Sequence, residues 1–228
     1  AVKQGKVENL QWNIDPKTKA GRILFSNPRG DHGFIGLWTD DGSPRIRWMS
    51  TSIDTDRNPR MSPDGTRVAF LRFLGPQQEG DRGMGGHRGP NFEVWVVDLT
   101  ASSGRTSRQR QPLQTGGRMV YEELTAGYPD GGSGYGERSL EWLDETTLIF
   151  GDESSGWCHP VALDILSGKN TPRRAPLSPP SDLLGRDSKC EAKSWLVRDG
   201  LVWIVHNCNA VSGGDLDTRS ISVWSGEE

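Results

Sequence analysis

Residues 56–70 read Asp-Arg-Asn-Pro-Arg-Met-Ser-Pro-Asp-Gly-Thr-Arg-Val-Ala-Phe, and the prediction of the fold starts from this stretch. Two short segments with apolar ends, Asn58–Met61 and Arg67–Phe70, lie on either side of a Ser-Pro-Asp-Gly turn. Proline presets φ and glycine supplies a positive φ in such turns, so we expect Asp64 and Gly65 to have a structural role there. The stretch therefore predicts a β-hairpin.

A similar pattern occurs four times along the chain: a strand that ends in a large apolar residue, a turn, a second apolar strand, and a third strand near an Asp or Gly turn. The predicted first strands are Glu8–Trp12, Asn58–Met61, Ser139–Trp142 and Ala192–Trp195. The second strands are Arg22–Phe25, Arg67–Phe70, Thr147–Phe150 and Leu201–Val205. The third strands are Phe34–Trp38, Phe92–Val97, Val161–Ile165 and Ser220–Trp224. Repeats of about this length are typical of β-propeller blades.

Fourth strands are expected where a hairpin turn follows a third strand, as at Asp41-Gly42 and Ser167-Gly168. The candidates are Arg45–Met49, Gln111–Gln114 and Arg173–Leu177. The fourth repeat has no candidate before Glu228, so we expect that further chain follows in the natural protein.

The predicted fold class is therefore all-β, with blades of four-stranded antiparallel sheets. We interpret residues 1–228 as a single β-propeller region with repeats at about 5–50, 56–117, 137–178 and 190–228, the last incomplete. Insertion loops are expected at 75–90, which contains six glycines, and at 118–136. Tryptophan, methionine and phenylalanine side chains would fill the interfaces between blades. An unclosed propeller exposes apolar blade faces, so we expect self-association.

Composition limits the classes of partner. The net charge of −3 gives no electrostatic support for binding to nucleic acid or to an anionic membrane. No apolar run approaches the ~20 residues of a membrane span, so a soluble protein is expected, and the cytoplasm, the periplasm and secretion all stay open. Nine tryptophans with 14 prolines and 29 glycines favour many short strands over a helical bundle.

The three cysteines are Cys158, Cys190 and Cys208, and an odd number excludes a fully paired framework within one chain. No C-x-x-C motif occurs. Cys190 and Cys208 flank a predicted hairpin whose ladder would place them nearly opposite each other. Both a disulfide and two half-buried free thiols are open interpretations.

Several segments together resemble the N-terminal, TolB-like propeller of the prolyl-oligopeptidase and dipeptidyl-peptidase family of serine peptidases. Residues 56–70 look like its "D-x-x-P-x-W-S-P-D-G-x-x-I-A-F" blade, with Met61 in place of tryptophan, and Asn91–Asp98 follows at the expected distance. Leu140–Trp142 with Leu148–Pro160 looks like "L-x-W … E-x-D-G-W-x-H-L-Y", the most specific match.

The last similar segment, Asn207–Trp224, looks like "N-x-G-D-I-D-R-R-H-x-W". It departs from that pattern through the insertion Cys208–Gly213 and through Thr218 and Ser220. The order and spacing of the segments support the resemblance more strongly than any one of them.

The resemblance implies that this chain is the non-catalytic cap of an α/β-hydrolase domain, in the same or a companion chain, which carries the Ser-Asp-His triad. Such a propeller restricts access to short peptides and helps bind them. No G-x-S-x-G nucleophile motif occurs here, since Gly131–Tyr135 fails at its last position. We therefore assign no catalytic residue in this chain. Only the family resemblance implies that the longer protein is an enzyme.

Five residues are candidates for substrate binding. The resemblance implies that Glu122 and Glu123, within Val120–Glu123, hold a substrate ammonium through charge-assisted hydrogen bonds. An exposed acidic pair on a linker is the alternative. Glu153, Trp157 and His159 lie in the most specific family segment, where a histidine that satisfies groups within its own blade is the alternative role.

Asp215, Asp217 and Arg219 are expected to form a structural ion-pair and turn network. Two carboxylates without an EF-hand pattern make a calcium site the weaker interpretation. No histidine spacing fits a metal site, and no glycine motif fits a nucleotide site. We therefore expect no metal and no cofactor.

Two other classes of function stay open. A stand-alone TolB-like propeller could act as a scaffold for protein–protein contacts, through its funnel and the loop Gly75–Pro90. A carbohydrate-binding propeller could stack sugars on exposed residues such as Trp38 or Trp224, although packing between blades explains these tryptophans more simply.

Overall fold

The computed structural model describes residues 6–29, 32–42, 45–49, 52–73, 92–100, 117–123, 140–152, 159–167, 172–177, 189–209 and 218–227. These residues form fifteen β-strands and no helix, which confirms the predicted all-β class. The part of the chain that the structure describes thus has no helix that could cross a membrane. The chain divides into two compact units, residues 1–84 with 91–122 and residues 85–90 with 123–228.

The first unit contains two groups of strands that are consecutive in sequence. Meander 1 consists of β1 (Glu8–Ile14), β2 (Gly21–Pro28), β3 (Gly33–Asp40) and β4 (Arg45–Trp48), each antiparallel to the next. Meander 2 consists of β5 (Thr55–Met61), β6 (Arg67–Phe73), β7 (Phe92–Asp98) and β8 (Gly117–Glu123). One parallel pairing, Gly33 with Thr55, joins the two meanders into a continuous eight-stranded sheet.

The second unit repeats this organisation in two separate sheets. Meander 3 consists of β9 (Leu140–Trp142), β10 (Thr147–Asp152), β11 (His159–Asp164) and β12 (Arg173–Arg174). Meander 4 consists of β13 (Lys189–Arg198), β14 (Leu201–Asn209) and β15 (Thr218–Trp224). All pairings that the structure gives within these two sheets are antiparallel. The structure shows no closed sheet among the described residues.

Most predicted strands coincide with observed ones, and the fourth strands differ most. The candidate Arg45–Met49 corresponds to β4, whereas only Arg173 and Arg174 of the third candidate form a strand. Gln111–Gln114 lies outside the described residues, as does Gly75–Pro90. The strand beside β7 is β8, so residues 118–123 belong to a strand although an insertion loop was expected there.

An aspartate organises the turn between the first and second strands of three meanders. Asp15 accepts hydrogen bonds from the Lys17 and Thr18 amides at 2.8 and 2.9 Å. Asp64 accepts bonds from the Thr66 amide at 3.0 Å and from the Ser62 hydroxyl at 2.6 Å. Such side-chain bonds to nearby backbone amides fix a local turn without tertiary support.

The third of these turns shows the electrostatic consequence. Asp144 accepts hydrogen bonds from the backbone amides of Thr146 and Thr147 at 2.7 and 2.8 Å. Burial raises the pKa of Asp144, but these bonds together lower it by more, so that its pKa lies below the ordinary 3.8. In meander 4 the corresponding turn is Asp199-Gly200, where both residues have positive φ, 54° and 71°, as a two-residue hairpin requires.

The first strands of three meanders contain a β-bulge. Register shifts occur between Glu8 and Gln11 in β1, between Arg57 and Arg60 in β5, and between Ala192 and Ser194 in β13. Asn9 and Asn58 occupy the bulges of β1 and β5, both with φ of 50°, a conformation that asparagine tolerates better than most residues. Each lies three residues before the apolar residue that ends the predicted strand, Trp12 or Met61.

A buried arginine connects meander 1 to meander 2. Arg22 of β2 donates hydrogen bonds to the Asn13 amide oxygen at 2.7 Å and to the Gly65 carbonyl at 3.0 Å, and pairs with Asp15 at 3.1 Å. Burial lowers the pKa of Arg22, while Asp15 opposes that shift. The turn of Asp64-Gly65 is thereby held against the neighbouring meander.

We predict that Asp144→Ala lowers the free energy of unfolding by about 1.5–3 kcal/mol at pH 7, the range for hydrogen bonds to a charged group. Because the pKa of Asp144 is lowered in the folded chain, its stabilisation is present above pH 3.8 and is lost as pH falls through the lowered value. Urea unfolding at pH 7 and pH 3 measures both effects. Asp40→Ala, at an exposed carboxylate that ends β3, is the control and should change stability little.

Candidate binding surfaces

One face of meander 1 carries an apolar row that crosses all four strands. Direct cross-strand partners place Trp12 beside Ile23, Ile23 beside Trp38, and Trp38 beside Ile46. Residues opposite each other in neighbouring strands share a face of the sheet, so this row is continuous. Trp12 is nevertheless 63% exposed, and Ile14 on the same face is 55% exposed. We call this surface the first apolar face.

The other face of meander 1 is covered. Leu24, Ile35, Leu37 and Met49 pack in one core cluster with residues of meander 2, namely Met61, Val68, Phe70 and Val97. Met61 and Val68 are direct cross-strand partners, as Trp12 and Ile23 are in meander 1. The face of meander 2 that corresponds to the first apolar face therefore packs on the preceding meander.

Meander 4 repeats this relation with meander 3. Trp195 and Ile204 are cross-strand partners and share a core cluster with Ile149 and Ala162 of meander 3. The face of meander 4 that carries Trp195 thus packs on the meander that precedes it in sequence. In both units the later meander packs on the earlier one in the same head-to-tail sense.

The outer face of meander 4 is apolar as well. Leu196, Trp203 and Val223 form a cross-strand row, and Val205 pairs with Ile221 in the next row on the same face. Trp203 is 45% exposed and Ile221 is 70% exposed. We call this surface the second apolar face. Contiguous exposed apolar patches of this kind are uncommon on soluble monomers and mark binding surfaces.

Meanders 2 and 3 show what a covered sheet of this type looks like. Both faces of meander 2 are buried, with Val68 on one side and Leu71 on the other at 0% exposure. Ile149 and Phe150, adjacent in β10 and on opposite faces of meander 3, are also 0% exposed. Among the described residues, only the first and the last meander leave an apolar sheet face exposed.

A polar cluster lies at one end of meander 3, where a sequence candidate is found. His159 of β11 is the cross-strand partner of Asp152, whose carboxylate is buried and accepts a hydrogen bond from Arg174 at 2.8 Å. The Nδ1 atom of His159 is buried without a hydrogen-bond partner. Burial and the Arg174 charge lower the pKa of His159, so its neutral form is favoured in the folded chain.

The remaining substrate-binding candidates are described less fully. Glu122 and Glu123 belong to β8, of which only the backbone is described, and Glu153 and Trp157 lie outside the described residues. Asp215 and Asp217 also lie outside them, whereas Arg219 is an exposed residue of β15 opposite Asn207. Of the five substrate-binding candidates, His159 is thus the one whose side chain the structure describes, and the set as a whole stays a prediction.

Trp224 does not have the exposed surface that stacking on a sugar needs. It is 6% exposed, belongs to the core cluster between meanders 3 and 4, and donates its indole N–H to the Glu227 carbonyl. Trp38 is half-buried within the first apolar face. Of the two tryptophans suggested for sugar binding, Trp224 is therefore a core residue.

Cys190 and Cys208 are cross-strand partners and form a disulfide between β13 and β14, with their Cα atoms 4.1 Å apart. Both are buried, and so is His206, whose Nδ1 lies 3.5 Å from Cys208 Sγ. Burial lowers the pKa of His206. Linear spacing gave His206 no role as a ligand, although alternation along a strand places residues 206 and 208 on one face.

Comparison with known proteins gives structural likeness only. No family model and no curated protein matches the chain. A puromycin-hydrolyzing peptidase of Mycobacterium tuberculosis is 16% identical with a TM-score of 0.46, over 86% of this chain and 28% of that chain. TolB from Acinetobacter baumannii is 12% identical with a TM-score of 0.37, over 94% and 49%.

A tricorn protease is 12% identical with a TM-score of 0.43, over 94% of this chain and 23% of that chain. The chain thus spans about a quarter to a half of the length of these proteins. Because the identities are low and the TM-scores lie below 0.5, these likenesses carry no argument about function.

We predict that residues 1–228 in isolation associate head to tail, with the first apolar face of one copy on the second apolar face of another. Trp12→Ser and Trp203→Ser should each weaken association about 10- to 100-fold, because a buried tryptophan contributes on the order of 1.5–3 kcal/mol. Sedimentation velocity measures this, and Ile53→Ser, at an isolated apolar residue that is 86% exposed, is the control.

Mixing the two variants tests the orientation. Each variant keeps one intact face, and the intact faces are complementary, so the mixture should form a heterodimer that neither variant forms alone. A monodisperse monomer of the unaltered chain, or a mixture that stays monomeric, contradicts the prediction.

We predict that the free energy of unfolding decreases as pH falls below about 6.5, the ordinary pKa of histidine. The folded chain favours neutral His159 and His206, so the unfolded chain binds more protons in this range and is stabilised by them. Urea midpoints at pH 7.5 and pH 5.5 measure the loss. His159→Gln should reduce it, and an unchanged pH dependence in that variant would show that His159 does not contribute.

Proposed function

We propose that the chain is the non-catalytic β-propeller portion of a serine peptidase similar to prolyl oligopeptidase and dipeptidyl peptidases. In this role it restricts access to the active site and helps bind short peptides. The observation that carries the propeller assignment is the pair of apolar faces, one on meander 1 and one on meander 4, beside meanders that are buried on both sides.

The stacking sense supports a propeller rather than a sandwich. In a sandwich each sheet buries one face and leaves the other polar toward water. A propeller places four-stranded sheets around an axis, so that each sheet is covered on both faces by its neighbours. The first apolar face corresponds to faces that pack on a preceding sheet, and the second apolar face to faces that pack on a following one. We propose that further blades cover the first and the second apolar face.

The peptidase assignment depends on the family segments in their order along the chain, from residues 56–70 to Asn207–Trp224. The chemistry is assigned to an α/β-hydrolase domain in the same or a companion chain, because this chain has no G-x-S-x-G motif. The chain would then act on the reaction only through access and substrate binding.

Substrate contacts are proposed at the glutamates and at the end of meander 3. Glu122 and Glu123 would bind the ammonium group of a peptide, and Glu153, Trp157 and His159 would make further contacts with the substrate. The guanidinium of Arg174, whose side chain is 40% exposed while it pairs with Asp152, adds a hydrogen-bond donor for a peptide carbonyl.

A stand-alone scaffold is the second candidate function, and the exposed apolar faces favour it. A protein that binds other proteins through Trp12 and Trp203 would show the same exposed tryptophans as an open set of blades. The two functions differ in whether a serine hydrolase accompanies the chain.

The deciding experiment is the intact denatured mass of the polypeptide from its native source, combined with labelling by a fluorophosphonate probe. A mass above 25.2 kDa by a hydrolase domain, or a labelled companion chain, supports the peptidase role. A mass near 25.2 kDa without any labelled companion overturns it and leaves the scaffold as the proposed function.

In the peptidase so identified, we predict that Glu122→Gln and Glu123→Gln raise the KM for peptides with a free amino terminus about 10- to 100-fold. This corresponds to the ~1.5–3 kcal/mol of a hydrogen bond to a charged group. N-acylated peptides should be unaffected, and Glu8→Gln, at an exposed carboxylate of β1, is the matched control. An equal loss for both kinds of peptide would contradict ammonium binding.

A further inference from the structure

A cluster of three donor residues lies on the core-facing side of meander 4, apart from the surfaces described above. Cys190 is 7% exposed, His206 is 2% exposed and Cys208 is 1% exposed. The ladder between β13 and β14 brings them together, because Cys190 is the direct partner of Cys208 and His206 is two residues before Cys208 on the same face. The register of β13 and β14 and the alternation of side chains along β14 therefore bring the three residues together.

The donor atoms have the spacing of ligands to a single metal ion. One sulfur or nitrogen atom from each residue lies within 4.8 Å of the others, and Cys208 Sγ is 3.5 Å from His206 Nδ1. Two ligands on a tetrahedral zinc ion, with Zn–S of about 2.3 Å and Zn–N of about 2.0–2.1 Å, lie about 3.6 Å apart. The histidine is therefore already at the required distance from one sulfur.

The chemistry of the donors selects the class of metal. Two thiolates and an imidazole form a soft to borderline set, which suits Zn²⁺ and disfavours Mg²⁺ or Ca²⁺. The cluster includes no carboxylate. A disulfide does not require a histidine beside it. If the S–S bond is reduced, however, the buried imidazole of His206 can act as a metal ligand together with the two sulfurs.

We propose that reduction of the Cys190–Cys208 disulfide converts these residues into a Cys₂His zinc site. A dithiol or phosphine reductant supplies two electrons and is itself oxidised, and two protons complete the two thiols. Zn²⁺ then displaces both thiol protons and binds two thiolates and neutral His206, which gives a site without net charge. Its fourth position is available to water or another ligand.

The consequence is that β13 and β14 are joined at the same place in either redox state. Under oxidising conditions the S–S bond joins them, and under reducing conditions the metal joins them. A zinc site formed in the folded state stabilises that state, because the unfolded chain does not hold the ligands together. The part of the second apolar face that β13 and β14 contribute would keep its register in both cases.

The experiment uses residues 1–228 with Cys158→Ser, so that the third cysteine does not contribute. The chain is reduced with a phosphine under anaerobic conditions, freed of reductant, and titrated with Co²⁺ and then Zn²⁺. We expect one equivalent of Co²⁺ to produce thiolate-to-cobalt charge-transfer bands, which Zn²⁺ then abolishes. The oxidised chain should bind neither ion.

Variants separate the proposed site from a simple pair of thiols. Cys190→Ser should abolish the thiolate spectrum of the site, and His206→Asn should weaken Zn²⁺ at least 10-fold, since loss of even an outer-shell partner costs about 10–100-fold. His206→Cys should retain binding, because it replaces one ligand by another. His32→Gln, at a half-buried histidine just before β3, is the control and should leave binding unchanged.

Circular dichroism shows whether each reduced variant keeps its strands. If the reduced chain loses structure and regains it on addition of Zn²⁺, the site is supported, because metal binding then drives folding. A reduced chain that binds no Co²⁺, that fails to refold with Zn²⁺, or whose affinity is the same in His206→Asn overturns the proposal.

Discussion

The constraint on which the structure depends is that these small sheets are apolar on both faces. Burial of apolar surface stabilises the folded state by roughly 25 cal/mol for each Å² removed from water. A sheet with one uncovered apolar face therefore lacks much of the stabilisation that burial of that face would give. Leu24 and Ile23, adjacent in β2, show the contrast: Leu24 is fully buried against meander 2, whereas Ile23 lies on the first apolar face. Head-to-tail packing satisfies the constraint where two meanders of one unit meet, and it leaves one apolar face of meander 1 and one of meander 4 exposed.

The elements that the sequence predicted well are those fixed by local chemistry. Turns centred on Asp64 and Asp144 close through hydrogen bonds within four residues, so their hairpins follow from short motifs. The hairpin turn at Asp199-Gly200 likewise fixes the register that places Cys190 opposite Cys208. What depends on distant residues was not predictable. The position of β8 after a stretch rich in serine and arginine, and the burial of Trp224 against meander 3, require knowledge of which sheet packs on which.

The candidate sites divide in the same way. His206 beside the disulfide follows from strand alternation, a period-two pattern that is visible in the sequence once residues 201–209 are assigned to a strand. The pairing of Arg174 with Asp152 beside His159 does not, because β12 is only two residues long and carries no periodic signal. Local sequence also does not predict that Trp12 is exposed and Met61 buried. The two residues occupy equivalent positions, and only the presence of a preceding sheet distinguishes them.

The bulges of β1 and β5 bear on the origin of the repeat. An extra residue in one strand shifts everything after it to the opposite face of the sheet, so such a bulge can be gained or lost only together with compensating changes. Asn9 and Asn58 have the same φ, three residues before Trp12 and Met61. Independent invention of that arrangement in two neighbouring sheets would require the same set of compensations twice. Copying of one ancestral four-strand unit would require it once and would give both bulges an asparagine in the same conformation.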